Sequence, residues 1–353
     1  MPVRHRLPRV ARECWTVAAV AAAVVLAVVV SHWQSVYRPS DAPQFLGVAQ
    51  NPFGNGAHYA GQALVQGVAY RYGRIGFPIV AWVLALGRPA AARGTLAAVF
   101  VASFGAWVAL AAEHLRRGGR RPRLALWILA LPWMLLWFAV PEIVSEPMAA
   151  ALMLFAYLCE REGRGRPARF AAALAILTRE QMIVAFIPLA WRDWKRRRWA
   201  AVRSWSLVLL PYAAWTVWVR VRIGHFPLTD PASTRRDAFA LPFVAWYRTL
   251  TGPLAASQKW SVLVAFATVA LVALLVIQGK WLYPITHGAV ALAALSLCYG
   301  ANVLRYPGEA FRILAPVQVL LVIAACSRRD SSSSDADADQ PADAKVSANA
   351  PGF

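Results

Sequence analysis

The sequence predicts an all-α polytopic membrane protein of about ten to eleven membrane helices, with interfacial helices in its first outer loop. Three observations carry this. Of the 353 residues, 59% are hydrophobic. Several apolar runs reach or approach the roughly 18–20 residues that cross ~30 Å of hydrocarbon as a helix. The arginines fall in short clusters between those runs, where basic side chains orient spans and meet anionic head groups. The net charge of +20 therefore points to membrane lipids as partners and not to nucleic acid.

Arg4, Arg6, Arg9 and Arg12 precede an apolar run from Trp15 to Val30. That run is long for the core of a signal sequence, and Ser31-His32-Trp33 makes a poor cleavage site, so the segment reads as a retained anchor. The candidate membrane segments are residues 14–33, 75–87, 94–114, 124–140, 146–159, 168–190, 203–220, 260–278, 281–299 and 309–326. Residues 75–87 are too few to cross and are expected to lie on or re-enter the membrane. Residues 168–190 would place Thr178-Arg179-Glu180-Gln181 at mid-bilayer, where a charged residue costs about 2.5–3.5 kcal/mol, so they are expected to form a hairpin of two short helices. With both changes, 22 of the 37 Lys and Arg residues face one side in short loops. The positive-inside rule makes that side the cytoplasm, with both termini there. The short helices also predict an outward-facing polar cavity, since charge at that depth survives only in protein or water. Residues 1–326 form the integral membrane unit, and 327–353, with Ser331–Ser334 and alternating Asp and Ala, lack the apolar content to fold and are expected to be a disordered cytoplasmic tail.

On this topology the outward carboxylates are Asp41, Glu142, Glu146, Glu180, Asp230, Asp237 and Glu309, with His58 and His225 as the other possible bases. Asp41 stands eight residues past Trp33, close enough to face a lipid head group and take a proton from an attacking hydroxyl. A helix N-cap is the competing role for it. Arg71 and Arg74 are three apart and share a face if the turn is helical; they suit an anionic phosphate or a snorkelling anchor. Arg179 and Glu180 are intramembrane charges, functional by default or a structural ion pair. Glu146 begins a helix, where its charge favours the dipole. Arg312 wants an anion, either Glu309 one turn before it or a substrate phosphate. Trp133, Trp137, Trp215, Trp218 and Trp246 fit interfacial belts or helix packing. Cys14, Cys159, Cys298 and Cys326 lack metal-like spacing and read as small apolar residues. No Walker motif, dinucleotide-binding glycine run, zinc spacing or nucleophile elbow occurs.

In Asp41-Ala42-Pro43-Gln44-Phe45, Asn51-Pro52-Phe53, Tyr70-Arg71-Tyr72-Gly73-Arg74-Ile75-Gly76-Phe77-Pro78, Glu146-Pro147, Leu177-Thr178-Arg179-Glu180 and Phe311-Arg312-Ile313-Leu314-Ala315-Pro316, the chain resembles bacterial membrane glycosyltransferases of the GT-C superfamily. The likeness spans roughly residues 10–326 and rests on the order and spacing of short motifs. It implies an enzyme of the cytoplasmic (inner) membrane that moves a sugar from a polyprenyl phosphate carrier, on the outer face, to a hydroxyl of an envelope glycan, lipid or protein acceptor, usually with inversion. It further implies Asp41 as catalytic base, Arg71, Arg74, Arg179 and Arg312 as holders of the carrier phosphate, and Glu146 and Glu180 as walls of the acceptor or sugar pocket. Many members carry Tyr or Asp beside the first acidic residue, where Ser40 and Ala42 flank Asp41 here. No cofactor is assigned on this basis, a divalent cation being the one left open. A multi-span transporter or flippase of a lipid-linked or anionic solute is the alternative, though the internal repeat common in such proteins is not found. A non-catalytic scaffold is the third class.

Overall fold

The computed structural model describes residues 9–37, 41–54, 68–227, 229, 239–252, 256–280, 282–304 and 307–326. Arg4, Arg6, Ser40, His58, Asp230, Asp237 and the expected tail at 327–353 lie outside them. Among the described residues the fold is all-helical, with one isolated bridge between Phe239 and Tyr299 in place of any strand. The helices are α1 (Arg12–Ser31), α2 (Ala42–Gln50), α3 (Val68–Tyr72), α4 (Gly76–Leu84), α5 (Ala92–Arg117), α6 (Pro132–Ala139), α7 (Glu146–Arg161) and α8 (Gly165–Thr178). They continue with α9 (Met182–Lys195), α10 (Trp199–Leu207), α11 (Leu210–Ile223), α12 (Val244–Thr251), α13 (Ala256–Ile277), α14 (Ile285–Leu297), α15 (Ala301–Leu304) and α16 (Pro307–Cys326).

Among the described residues, four helices are long and apolar enough to cross a membrane: α1, α5 with its preceding 3-10 turn, α13 and α16. A fifth arises if the 3-10 stretch Pro122–Ala130 and α6, bent by 56° at Leu131, are counted as one broken span. The expected ten to eleven spans are thus resolved only in part, and the reason is local. Segment 203–220 is interrupted between α10 and α11, where Pro211 lacks an N–H and ends one helix as it starts the next. Segment 281–299 contracts to the 13 residues of α14. Segment 75–87 contracts to the nine residues of α4, about 14 Å of helix against ~30 Å of hydrocarbon. On α1 and α13 apolar side chains point outward as well as inward, among them Val24, Leu26, Val30, Trp260, Phe266 and Ile277. Helices apolar all round on a protein's exterior fit a lipid surround.

The core is built where α5, α7 and α16 meet their neighbours. α7 and α8 pack as an antiparallel hairpin, joined by a turn whose Gly163 takes a left-handed conformation (φ 70°) that a residue with a Cβ adopts at a cost. Trp133 and Trp137 are buried in this core, and Trp246 in a smaller one beside Tyr299, so packing rather than an interfacial belt claims these three. The expected hairpin of short helices is present as α8 and α9, 14 residues each. Arg179 is extended (φ −150°, ψ 116°) at the end of α8, and the next helix restarts with Met182 N–H donating to the Arg179 carbonyl at 3.0 Å.

One close approach positions everything that follows. A Cβ on Gly76 would lie 2.5 Å from Thr178 Oγ1, 2.7 Å from its backbone nitrogen and 2.9 Å from the Leu177 carbonyl carbon. The start of α4 therefore rests directly on the backbone at the end of α8. Arg74 and the Arg179–Glu180 step are brought together across more than a hundred residues of sequence.

Candidate functional site

Asp41 precedes α2 at its N-cap position, yet its side chain makes no capping hydrogen bond. The carboxylate faces the protein interior, 1% exposed, and is paired with three arginines: Arg71, Arg74 (3.6 Å) and Arg312 (2.8 Å). Of the two roles open to Asp41 in the sequence, capping is not the one it performs.

Arg71 lies in the last turn of α3, and Arg74 follows in the turn before α4. Both approach Asp41, so the three-residue spacing does present them together. Their guanidinium carbons lie 5.3 and 4.5 Å from the centroid of the Tyr70 ring, a cation–π seat that spacing alone did not reveal. Arg74 also donates through Nε (3.2 Å) and Nη2 (3.0 Å) to the two oxygens of Glu180, the fork geometry that guanidinium offers to carboxylate or phosphate.

Arg312, one turn into α16, is the hub. It reaches Asp41 at 2.8 Å, Glu142 at 3.2 Å, Glu146 at 2.7 Å and Glu309 at 2.8 Å. Glu146, the first residue of α7, also pairs with Arg179 through the same oxygen that meets Arg312. Its placement at a helix N-terminus favours its charge, but the two guanidinium groups are its principal partners. All seven residues singled out in the sequence thus lie in one continuous ion network, which also takes in Glu309, offered by the sequence as a partner for Arg312, and Glu142, known there only as an outward carboxylate. His225 is exposed and joins no ion pair among the described residues.

Five carboxylates meet four guanidinium groups in this network. Asp41, Glu146, Arg179 and Arg312 are 1% exposed, whereas the side chains of Arg71, Glu142, Glu180 and Glu309 are 14–23% exposed. Access is therefore from the Arg71–Glu180–Glu142–Glu309 rim, and the floor is dry. Removing so many charges from water is expensive, and mutual pairing offsets that cost without exceeding it by much. A core that wanted only stability would use apolar side chains here, which makes a functional role the natural reading. Burial pushes the Glu142 carboxyl up to about 7, with Asp41 and Glu309 adding to the rise and Arg312 opposing it.

A divalent cation does not fit this donor set. Among the described residues no three His, Cys, Asp or Glu side chains are arranged to hold a metal ion. The Arg312 guanidinium occupies the point between Asp41, Glu142, Glu146 and Glu309 that a cation would take.

Beside the network, Phe53 packs edge-on against Trp82, Trp215 and Trp218, the last two stacked at 4.5 Å. Trp215 donates from its indole to the Tyr72 carbonyl at 2.6 Å, steadying the segment that carries Arg71 and Arg74. Comparison of the chain with protein-family models, with curated proteins and with solved structures returned no match.

Proposed function

We propose that this chain is a membrane glycosyltransferase that moves a sugar from a polyprenyl phosphate carrier to a hydroxyl acceptor on the outer face of the cytoplasmic membrane, with inversion. The observation that carries this reading is the buried Asp41 carboxylate within the Arg71–Arg74–Arg312 group, of which Arg71 reaches the rim where the network meets solvent. The proposal takes ten or eleven membrane helices, with the shorter ones completing the bundle around the four long ones and both termini cytoplasmic.

The chemistry follows from charge. The carrier is a phosphodiester with one negative charge, and it departs with two. As the acceptor oxygen bonds to the anomeric carbon, the bond from that carbon to the phosphate oxygen breaks and its electron pair leaves with the phosphate. Preorganised guanidinium groups in a site of reduced dielectric stabilise that growing charge. Arg71, at the rim, and Arg74 behind it take the phosphate in place of the carboxylates they hold, with Arg179 and Arg312 beneath them. Asp41, released from Arg71 and Arg74 by that exchange and still paired with Arg312, accepts the hydroxyl proton from the face opposite the leaving group. Glu146 and Glu180 fix the arginines and border the sugar or acceptor.

The test is reconstitution in vesicles with radiolabelled polyprenyl-phosphate sugars, comparing the natural chain with Asp41→Asn and Arg179→Gln. Loss of a general base lowers transfer by about 10²–10⁴-fold. Undiminished transfer by Asp41→Asn removes the base. Movement of the labelled lipid between leaflets without transfer favours a flippase instead.

A further inference from the structure

About 21 Å along α9 from the network, the chain turns through Trp191-Arg192-Asp193-Trp194-Lys195-Arg196-Arg197-Arg198-Trp199. The carboxylates nearest this turn are already engaged. Glu160 pairs with Arg192 (2.5 Å) and Arg169 (3.7 Å), and the buried Asp193 with Arg192 (3.3 Å), Arg169 (3.8 Å) and the Trp205 indole (3.2 Å). Residues Lys195–Arg198 are all exposed and have no carboxylate partner among the described residues.

The turn is held in shape by its own backbone. Arg196, Arg197 and Arg198 donate to the Arg192, Trp194 and Asp193 carbonyls at 3.0, 2.9 and 2.9 Å. Arg197 itself is left-handed (φ 53°), an uncommon conformation for a residue with a Cβ. Three tryptophans accompany these cations: Trp191, Trp194 and Trp199, respectively 50%, 44% and 53% exposed, with Lys195 Nζ 5.4 Å from the Trp191 ring centroid.

We propose that this turn is a binding site for an anionic phospholipid head group at the membrane surface. Four cations without counter-charges call for an anion, and each contributes about 1 kcal/mol of attraction to an anionic bilayer surface. Three exposed indoles call for the boundary between headgroup and acyl chain, where an apolar ring and a polar N–H are both satisfied. The rival occupant is the chain's own acidic stretch, Asp330 to Asp343, which carries five aspartates and no aromatic or large aliphatic side chain. It answers the cations but gives the indoles nothing to pack on.

The test uses the full chain in lipid nanodiscs and reads quenching of tryptophan fluorescence by lipids brominated in the acyl chain, phosphatidylglycerol against phosphatidylcholine. The natural chain is expected to show at least about fivefold preference for brominated phosphatidylglycerol, one cation's worth of attraction. The quadruple variant Lys195→Gln, Arg196→Gln, Arg197→Gln, Arg198→Gln is expected to lose that preference. Trp191→Phe, Trp194→Phe and Trp199→Phe together are expected to remove the headgroup-selective part of the signal. The control Arg120→Gln, Arg121→Gln, Arg123→Gln, which strips exposed charge elsewhere, is expected to leave the preference intact. The proposal is overturned by equal quenching from the two lipids, by a preference that survives the quadruple variant, or by an equal loss in the control. It is also overturned if the preference emerges only after residues 327–353 are deleted, since the acidic stretch would then be the occupant.

Discussion

Two ion networks flank the α7–α8–α9 unit, and they differ in whether arginine is buried along with the acids it serves. In the one around Glu160 and Asp193 the carboxylates are 8% and 2% exposed, while the arginines that serve them, Arg169 and Arg192, are 17% and 24% exposed. Long side chains reach in from solvent to neutralise buried acids, which is what arginine does in structural pairs. In the network around Arg312 both signs are buried: Asp41, Glu146, Arg179 and Arg312 are on the floor, and Arg71, Glu142, Glu180 and Glu309 lie toward the rim. Cations buried behind partly exposed carboxylates can exchange a carboxylate for an incoming anion, whereas the arginines around Glu160 and Asp193 already face solvent. Similar pairings thus serve architecture at one end and a candidate site at the other.

The sharpest way to break this contrast is at the hub. Arg312→Leu leaves Asp41, Glu142, Glu146 and Glu309 without their shared partner and is expected to cost about 3–5 kcal/mol, read as a lowered unfolding midpoint in detergent, with transfer abolished. Gly76→Ala comes next. Its Cβ meets backbone on α8, so the helices must part, at about 1–3 kcal/mol and with loss of the Arg74–Glu180 fork. Gly94→Ala, which has nothing within 4 Å, is the companion control and is expected to gain about 0.5–1 kcal/mol as an ordinary helix substitution.

A third effect is a pH dependence. The folded-state pKa of Glu142 is raised above its ordinary value of 4.5 to about 7. Its contribution to stability is therefore complete below 4.5 and is lost as pH rises through 7. Unfolding midpoints measured from pH 5 to 8 should fall across this window in the natural chain and lie flatter in Glu142→Gln. The smallest effect belongs to the other network. Arg192→Gln is expected to cost under about 1 kcal/mol, because Arg169 still serves both acids and the lost charge was partly solvated. A loss there equal to that of Arg312→Leu would erase the distinction between the two networks.

Much of this was legible in the chain. Apolar run length located α1, α5, α13 and α16, and the energetic cost of Arg179 and Glu180 at mid-bilayer located the break between α8 and α9. Arg179, Glu180 and Arg312 stood out as charges in apolar context, whereas Asp41, Arg71, Arg74 and Glu146 stood out by position, beside the first span or at a helix start, and by the family resemblance. Less legible was the interruption at Pro211, where a run of suitable length and composition concealed the break between α10 and α11. Glu309 was visible as a partner for Arg312 one turn away, whereas Glu142 was visible only as a carboxylate, and nothing in the order of residues showed that the Tyr70 ring supports two arginines.

What the sequence determined by itself was composition and period: which stretches must be helical, which must avoid water, and where a charge would be too costly to leave in lipid. What only the tertiary structure decided was which charge answers which. Asp41 and Arg312 stand 271 residues apart, and their pairing depends on α2, α7 and α16 arriving at one place. That arrival follows from packing between helix faces and from a single Cβ-free contact at Gly76. Local propensity carries no record of such contacts, because helix formation depends on neighbours a few residues away, whereas ion pairing depends on distance in space.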